Sequence, residues 1–226
     1  MRFQDAAQDA RSVVYAGIQA DPLVGRCAVL LADANPAERV LARAVMNGET
    51  IEPDHWRAMF PTLFGSGATD DATVLARSEA ILQASLAVAD RGEQVRSQVR
   101  GALVEELTAQ LLMRRSVPGA VKRERRILFD GVPAEIHPYD VTVEAAPAAE
   151  AYDCKWGARG INADVLHQLD DARAHASDED ERLTVALVVF DARRSCEVRL
   201  ARQSAPHGAT GLVTIESLDA LALPAR

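Results

Sequence analysis

The sequence predicts a mixed α/β protein with a helical leading part. Three observations carry this. Apolar residues recur at three- and four-residue spacing through roughly the first 95 positions, which is the helical period. Beyond residue 120 the pattern changes to short β-branched runs bounded by turn residues. The 226 residues are 48% hydrophobic and 26% charged, enough to bury a core without disulfides or a structural metal.

Taken in order, Pro36 to Met46 and Asp71 to Asp90 read as amphipathic helices. Asn35 is an N-cap with proline at the first helical position. The punctuated stretch between them holds a short helix at HWRAMF. Its FGSGATDD has no third glycine and no GK[ST], so Thr69 or Asp70 is expected to cap the next helix rather than cradle phosphate. A long helix follows over Val95 to Arg115. Strands are expected at Arg126 to Phe129, Tyr139 to Val143, Glu150 to Trp156, Leu183 to Phe190, Cys196 to Ala201 and Gly211 to Ile215. A helix over Asn162 to Ala176 separates the third strand from the fourth, and a last helix starts at Ser217. The order from residue 95 is α-β-β-β-α-β-β, which sets a domain at 95–226 behind a helical region at 1–94.

Composition also excludes. No apolar run approaches the ~20 residues of a membrane helix, and the N-terminus lacks a signal design, so a cytoplasmic protein without a membrane partner is expected. Cys27, Cys154 and Cys196 are far apart and form no CxxC, so buried thiols are expected. The net charge of −8 argues against binding nucleic acid by overall basicity. Residues 1–94 carry −5 and the remainder −3, so neither part is a basic module. Only Lys122 and Lys155 are lysines among 25 basic residues, which singles both out.

The chemistry concentrates in three residues. Asp140 begins one expected strand, and Asp153-Cys154-Lys155 lies thirteen residues later in the next. A short connection makes the two a hairpin. Side chains at i and i+2 share a strand face, so Asp153 and Lys155 point one way and Cys154 points into packing. Asp140 can join that face. Two carboxylates and the Cys154 backbone carbonyl suit a hard divalent cation such as Mg²⁺ or Mn²⁺, and the lysine would orient a water or stabilise developing charge. The plain alternative is an exposed ion pair worth ~0–1 kcal/mol. Glu105 or Glu106 on the preceding helix offers a third acid. The basic run Arg114, Arg115, Lys122, Arg123, Arg125, Arg126 is either a solvated connection or a phosphate-backbone clamp.

These residues resemble the PD-(D/E)xK nuclease superfamily, also called restriction-endonuclease-like. The resemblance covers roughly residues 95 to 195. It implies an α-β-β-β-α-β core on a mixed sheet. It also implies catalytic roles for Asp140, Asp153, Lys155, Glu105 and the helix glutamine Gln168, with metal held by Asp140, Asp153, Glu105 and the Cys154 carbonyl. The implied activity is Mg²⁺-dependent endonucleolytic cleavage of a phosphodiester, with DNA as the partner. The helical region would then dimerise, dock a protein partner or regulate, as suits a bacterial defence or mobile-element nuclease. The alternatives are a silent nuclease-fold subunit used for binding or assembly, and an RNA-cleaving member of the same fold.

Overall fold

The computed structural model describes residues 1–6, 10–65, 70–133, 137–204 and 210–224. The chain is mixed α/β and divides into two compact units. One is Ala10–Leu107; the other joins Met1–Asp9 to Thr108–Arg226.

The first unit is helical: α1 (Ala10–Gln19), α2 (Pro22–Ala32), α3 (Pro36–Asn47), α4 (Pro53–Met59), α5 (Pro61–Phe64), α6 (Ala72–Ala89) and most of α7 (Glu93–Met113). The starts follow from local chemistry. Asn35 accepts from the Glu38 N–H and Glu38 returns the bond to the Asn35 N–H, a full capping box with Pro36 in the first turn. Asp71 caps α6 through the Thr73 and Val74 N–H groups. Asp70, one of the two expected caps, is therefore corrected by one position, and Thr69 lies outside the described residues. Leu41, Val45, Met46, Ile81 and Leu82 are almost wholly buried where α3 packs on α6. No single described helix is long and apolar enough to cross a membrane. The segments Val13–Gln19 and Pro22–Ala32 pass that test only as a pair bent by 52°. Val24, Cys27, Ala28 and Leu31 of α2 are spent in the core.

The second unit is built on one six-stranded sheet in sequence order: β1 (Arg2–Asp5), β2 (Val121–Leu128), β3 (Tyr139–Val143), β4 (Ala148–Lys155), β5 (Arg182–Val189) and β6 (Gly211–Thr214). The first four strands are antiparallel neighbours; β4, β5 and β6 run parallel. Parallel neighbours need crossovers, supplied by α8 (Ala163–Asp178) and α9 (Arg193–Leu200). Leu166, Leu169, Ala172 and Ala176 of α8 pack on Ala149 and Ala151 of β4 and on Val185, Leu187 and Val189 of β5. A 3₁₀ turn, Ala158–Gly160, leads from β4 towards α8, and another, Leu218–Ala222, stands where the last helix was expected.

Three expectations are corrected here. Arg2–Asp5, expected as helix, is an edge strand; four residues are too few to show a period, and the pairing with β2 is long-range. Cys196 to Ala201, expected as a strand, lies largely in α9. Cys196 and Leu200 face the core four residues apart, while Val198 is 48% exposed, so the spacing was helical. β2 starts at Val121 rather than Arg126; its charged residues hid it, and pairing on both sides holds it.

Candidate functional site

The site grows from where the sheet ladder breaks. β4 pairs with β5 along its whole length, up to Lys155↔Val189, so the Asp153-Cys154-Lys155 stretch is firmly held on that side. On the other side the ladder with β3 stops at Val141↔Tyr152. Beyond that point a side chain takes over: Asp140 Oδ2 accepts the Cys154 N–H at 2.6 Å. A residue in a strand points its N–H and C=O to the same side, so the Cys154 carbonyl faces β3 as well.

The strand alternation is as expected. Cys154 is buried, and its thiol meets the Thr108 hydroxyl of α7 at 3.5 Å. Glu150 and Tyr152 share that face. Asp153 and Lys155 share the opposite parity with Ala149 and Ala151, the face covered by α8. The Lys155 ammonium stands 2.5 Å from Asp153 Oδ1. Asp153 is 8% exposed, and that oxygen has the ion pair but no aligned hydrogen bond. Burial raises the Asp153 pKa, opposed by Lys155 and by His137. Burial also opposes the Lys155 charge, but Asp153 and then Asp140 outweigh it and raise the ammonium pKa. The lysine is therefore held charged. Trp156 stacks on Phe190 with ring centres 5.0 Å apart, and the Phe190 N–H donates to the Lys155 carbonyl at 2.8 Å.

A further acid stands beside Asp140. Glu124 and Asp140, both half-buried, bring carboxylate oxygens within 4.8 Å of one another. Glu124 has φ +51°, the left-handed region that side chains other than glycine, asparagine and aspartate seldom enter. The β2–β3 register runs Arg123↔Val141 and Arg125↔Tyr139, and the pair between them, Glu124 with Asp140, is missing from the ladder. Asp140 is thus flanked by an interruption on each side. Such strain, ~1–3 kcal/mol, persists where surrounding structure enforces it and clusters at functional sites. Sequence reasoning missed Glu124; its signal was that it is the lone acid in the basic run.

Gln168 on α8 donates through Nε2 to the His137 carbonyl at 3.0 Å, while its own backbone carbonyl accepts the Tyr139 hydroxyl at 3.3 Å. It ties α8 to the segment that leads into Asp140. Glu105 is buried on α7, where it accepts the Tyr15 hydroxyl at 2.5 Å and the Gln19 amide at 2.8 Å. The unit boundary falls inside α7, and Glu105 sits one helical turn before Thr108. Glu106 is half-buried.

The basic run is not one cluster. Arg115 makes a bidentate pair with Glu150, also meets Tyr152, and donates to the Leu221 carbonyl, so it is a structural strut and is corrected out of the clamp. Arg125 pairs with Glu144 and Asp5 and is corrected for the same reason. Lys122 and Arg114 are exposed; Arg123 and Arg126 are half-buried on β2. The three cysteines are buried, and burial pushes the Cys27 thiol up to about 12.

Asp140 and Glu124 offer the carboxylate oxygens that a hard divalent cation takes, and Asp153 beside them is committed to Lys155 through Oδ1.

No family model matches the chain, and no curated protein matches it. Among solved structures it is similar to protein VC1899 from Vibrio cholerae, at 14% identity and a TM-score of 0.49, over 98% of this chain and 56% of that one. The chain therefore spans little more than half the length of that protein.

Proposed function

We propose that the protein is a divalent-metal-dependent phosphodiester hydrolase of the restriction-endonuclease-like kind, acting on DNA. One observation carries the reading: a charged lysine paired with a buried aspartate, with a second aspartate hydrogen-bonded to the backbone of the residue between them. Asp140, Asp153 and the Cys154 carbonyl would hold Mg²⁺ or Mn²⁺, with Glu124 as a further carboxylate. The bound ion would supply positive charge beside the scissile phosphate and a more acidic water.

The chain's own residues do the rest. Lys155 keeps its proton and offers a compact positive charge to the phosphate oxygens as charge builds on them. Asp153 fixes the direction of that ammonium. Gln168 holds the approach to β3, so that Asp140 keeps its place. Hydrolysis forms a bond from water oxygen to phosphorus and breaks the bond to the leaving sugar oxygen. The carboxylates are the groups able to take the proton of the water. Lys122 and Arg114 are the exposed cations of the basic run that would meet the phosphate backbone.

The test is cleavage of plasmid DNA, single-stranded DNA and RNA with Mg²⁺, Mn²⁺ or EDTA, wild type against Lys155→Ala. The expected result is metal-dependent DNA cleavage that the variant loses. Cleavage surviving in the variant, or none with any metal and substrate, overturns the reading; cleavage of RNA alone moves it to the RNA-cutting class.

A further inference from the structure

We propose that Gly160 is a positioning residue whose bare backbone walls in the aliphatic stem of Lys155 and so aims its ammonium at Asp153. The inference rests on the role given to Lys155 above. A methyl group at Gly160 would lie 2.9 Å from Lys155 Cδ and 3.1 Å from its Cβ and Cγ. Ordinary carbon contacts are ~3.5–4.0 Å, so one of the two must move. Gly160 does not occupy the left-handed region, so conformational freedom does not account for the glycine; the space does.

The turn is poorly able to yield. The Ala158 N–H donates to Asp191 Oδ2 at 3.0 Å, and Asp191 Oδ1 accepts the Ala192 N–H at 2.8 Å. On the far side Arg199 Nε donates to the Ile161 carbonyl at 2.8 Å. Ala158, Ile161 and Asp191 are all buried. Lys155 cannot retreat at its root either, because its backbone is laddered to Val189 and its carbonyl accepts from Phe190. A side chain added at residue 160 is therefore relieved by swinging the lysine stem, and the ammonium at its end moves furthest.

The chain has two lysines, and Lys122 is exposed, so side-chain ammonium NMR of ¹⁵N-lysine-labelled protein reads Lys155 almost alone. In wild type the paired Lys155 ammonium should exchange slowly and give a resolved signal. In Gly160→Ala that signal should shift or vanish while Lys122 and the backbone spectrum stay. An unchanged Lys155 signal overturns the proposal. Thermal unfolding supplies the second measurement: Gly160→Ala should lower Tm in wild type and lower it less in a Lys155→Ala background. Equal losses in both backgrounds overturn it. Should Gly160→Ala fail to fold, rescue by the added Lys155→Ala supports the proposal, and failure of the double variant overturns it. Where the protein cleaves DNA, Gly160→Ala should lower kcat roughly 10- to 100-fold with KM little changed. Neither the NMR nor the Tm readout needs activity, so an inactive wild type with a displaced Lys155 signal would sink the hydrolase reading and leave the role of Gly160 standing.

Discussion

Two buried carboxylates, one in each unit, are held in opposite ways. In the helical unit Glu38 is wholly buried, and every neighbour satisfies it: Arg77 through two nitrogens, the Ser78 hydroxyl at 2.8 Å and the Asn35 N–H at 2.8 Å. In the sheet unit Asp153 is nearly as buried but has an ion pair without an aligned hydrogen bond. Close by, Asp140 and Glu124 bring two carboxylates together, with the Glu124 backbone held at positive φ. The first arrangement is complete as it stands. The second gathers carboxylates about Lys155, the kind of arrangement to which an added cation would be drawn.

The largest expected effect breaks the complete network. Glu38→Ala removes the capping box and strands Arg77 and Ser78, so unfolding free energy should fall by roughly 3–5 kcal/mol. Denaturant unfolding checks this, and cleavage per folded molecule should be retained. A loss under 1 kcal/mol would show that Glu38 is not the keystone its contacts suggest.

Lys155→Met keeps much of the stem and removes the charge. If the ammonium stabilises charge developing on the phosphate, the cleavage rate should fall roughly 10²- to 10³-fold, the cost of losing one such donor. Single-turnover rates at saturating metal measure it. Fold stability should suffer less than in Glu38→Ala, because Asp153, whose pKa burial already raises, can take up a proton.

Asp140→Asn turns the comparison round. It removes one of two facing carboxylates yet leaves an oxygen to accept from Cys154. Without metal its Tm should stay within a few degrees of wild type, because relief of the Glu124 repulsion is set against the lost attraction to Lys155. Millimolar Mg²⁺ should stabilise the wild type by about 1.4 kcal/mol at ten times the dissociation constant, and the variant far less. Thermal melts with and without Mg²⁺ decide it, and equal Mg²⁺ shifts in both proteins would place the ion elsewhere.

How far all this was legible depended on whether the signal was local. The β3 strand, Asp153 and Lys155 on one face with Cys154 packed on the other, and the Asn35 cap each follow from adjacent residues, so the sequence alone revealed them. Glu124 did not, because its importance comes from a positive φ and from Asp140 across the sheet, and neither leaves a periodic trace. Arg115 shows the same limit: its partner Glu150 is thirty-five residues away, so a charge run read as a solvated connection or a phosphate clamp hid an internal ion pair. Gly160 left no trace at all, since an empty space beside a lysine stem is visible only in three dimensions.

The smallest effect lies on β4 itself, where Glu150 is as buried as Asp153 but complete. Burial works against its charge, yet Arg115 and the Tyr152 hydroxyl outweigh it and hold the carboxyl below its ordinary value of 4.5. A carboxylate whose folded pKa is depressed adds stability that is fully present above its unfolded pKa and is lost as pH falls through the folded one. Acid should therefore weaken the protein below about pH 4.5 in part through Glu150. Glu150→Gln should be less stable near neutrality, where Arg115 loses its counter-charge, and should close the gap on wild type as pH falls towards 3. Urea unfolding at pH 7, 5 and 3.5 measures the two curves. Parallel curves would mean that the pair contributes nothing to acid sensitivity, and that two carboxylates three residues apart on one strand differ less than their partners indicate.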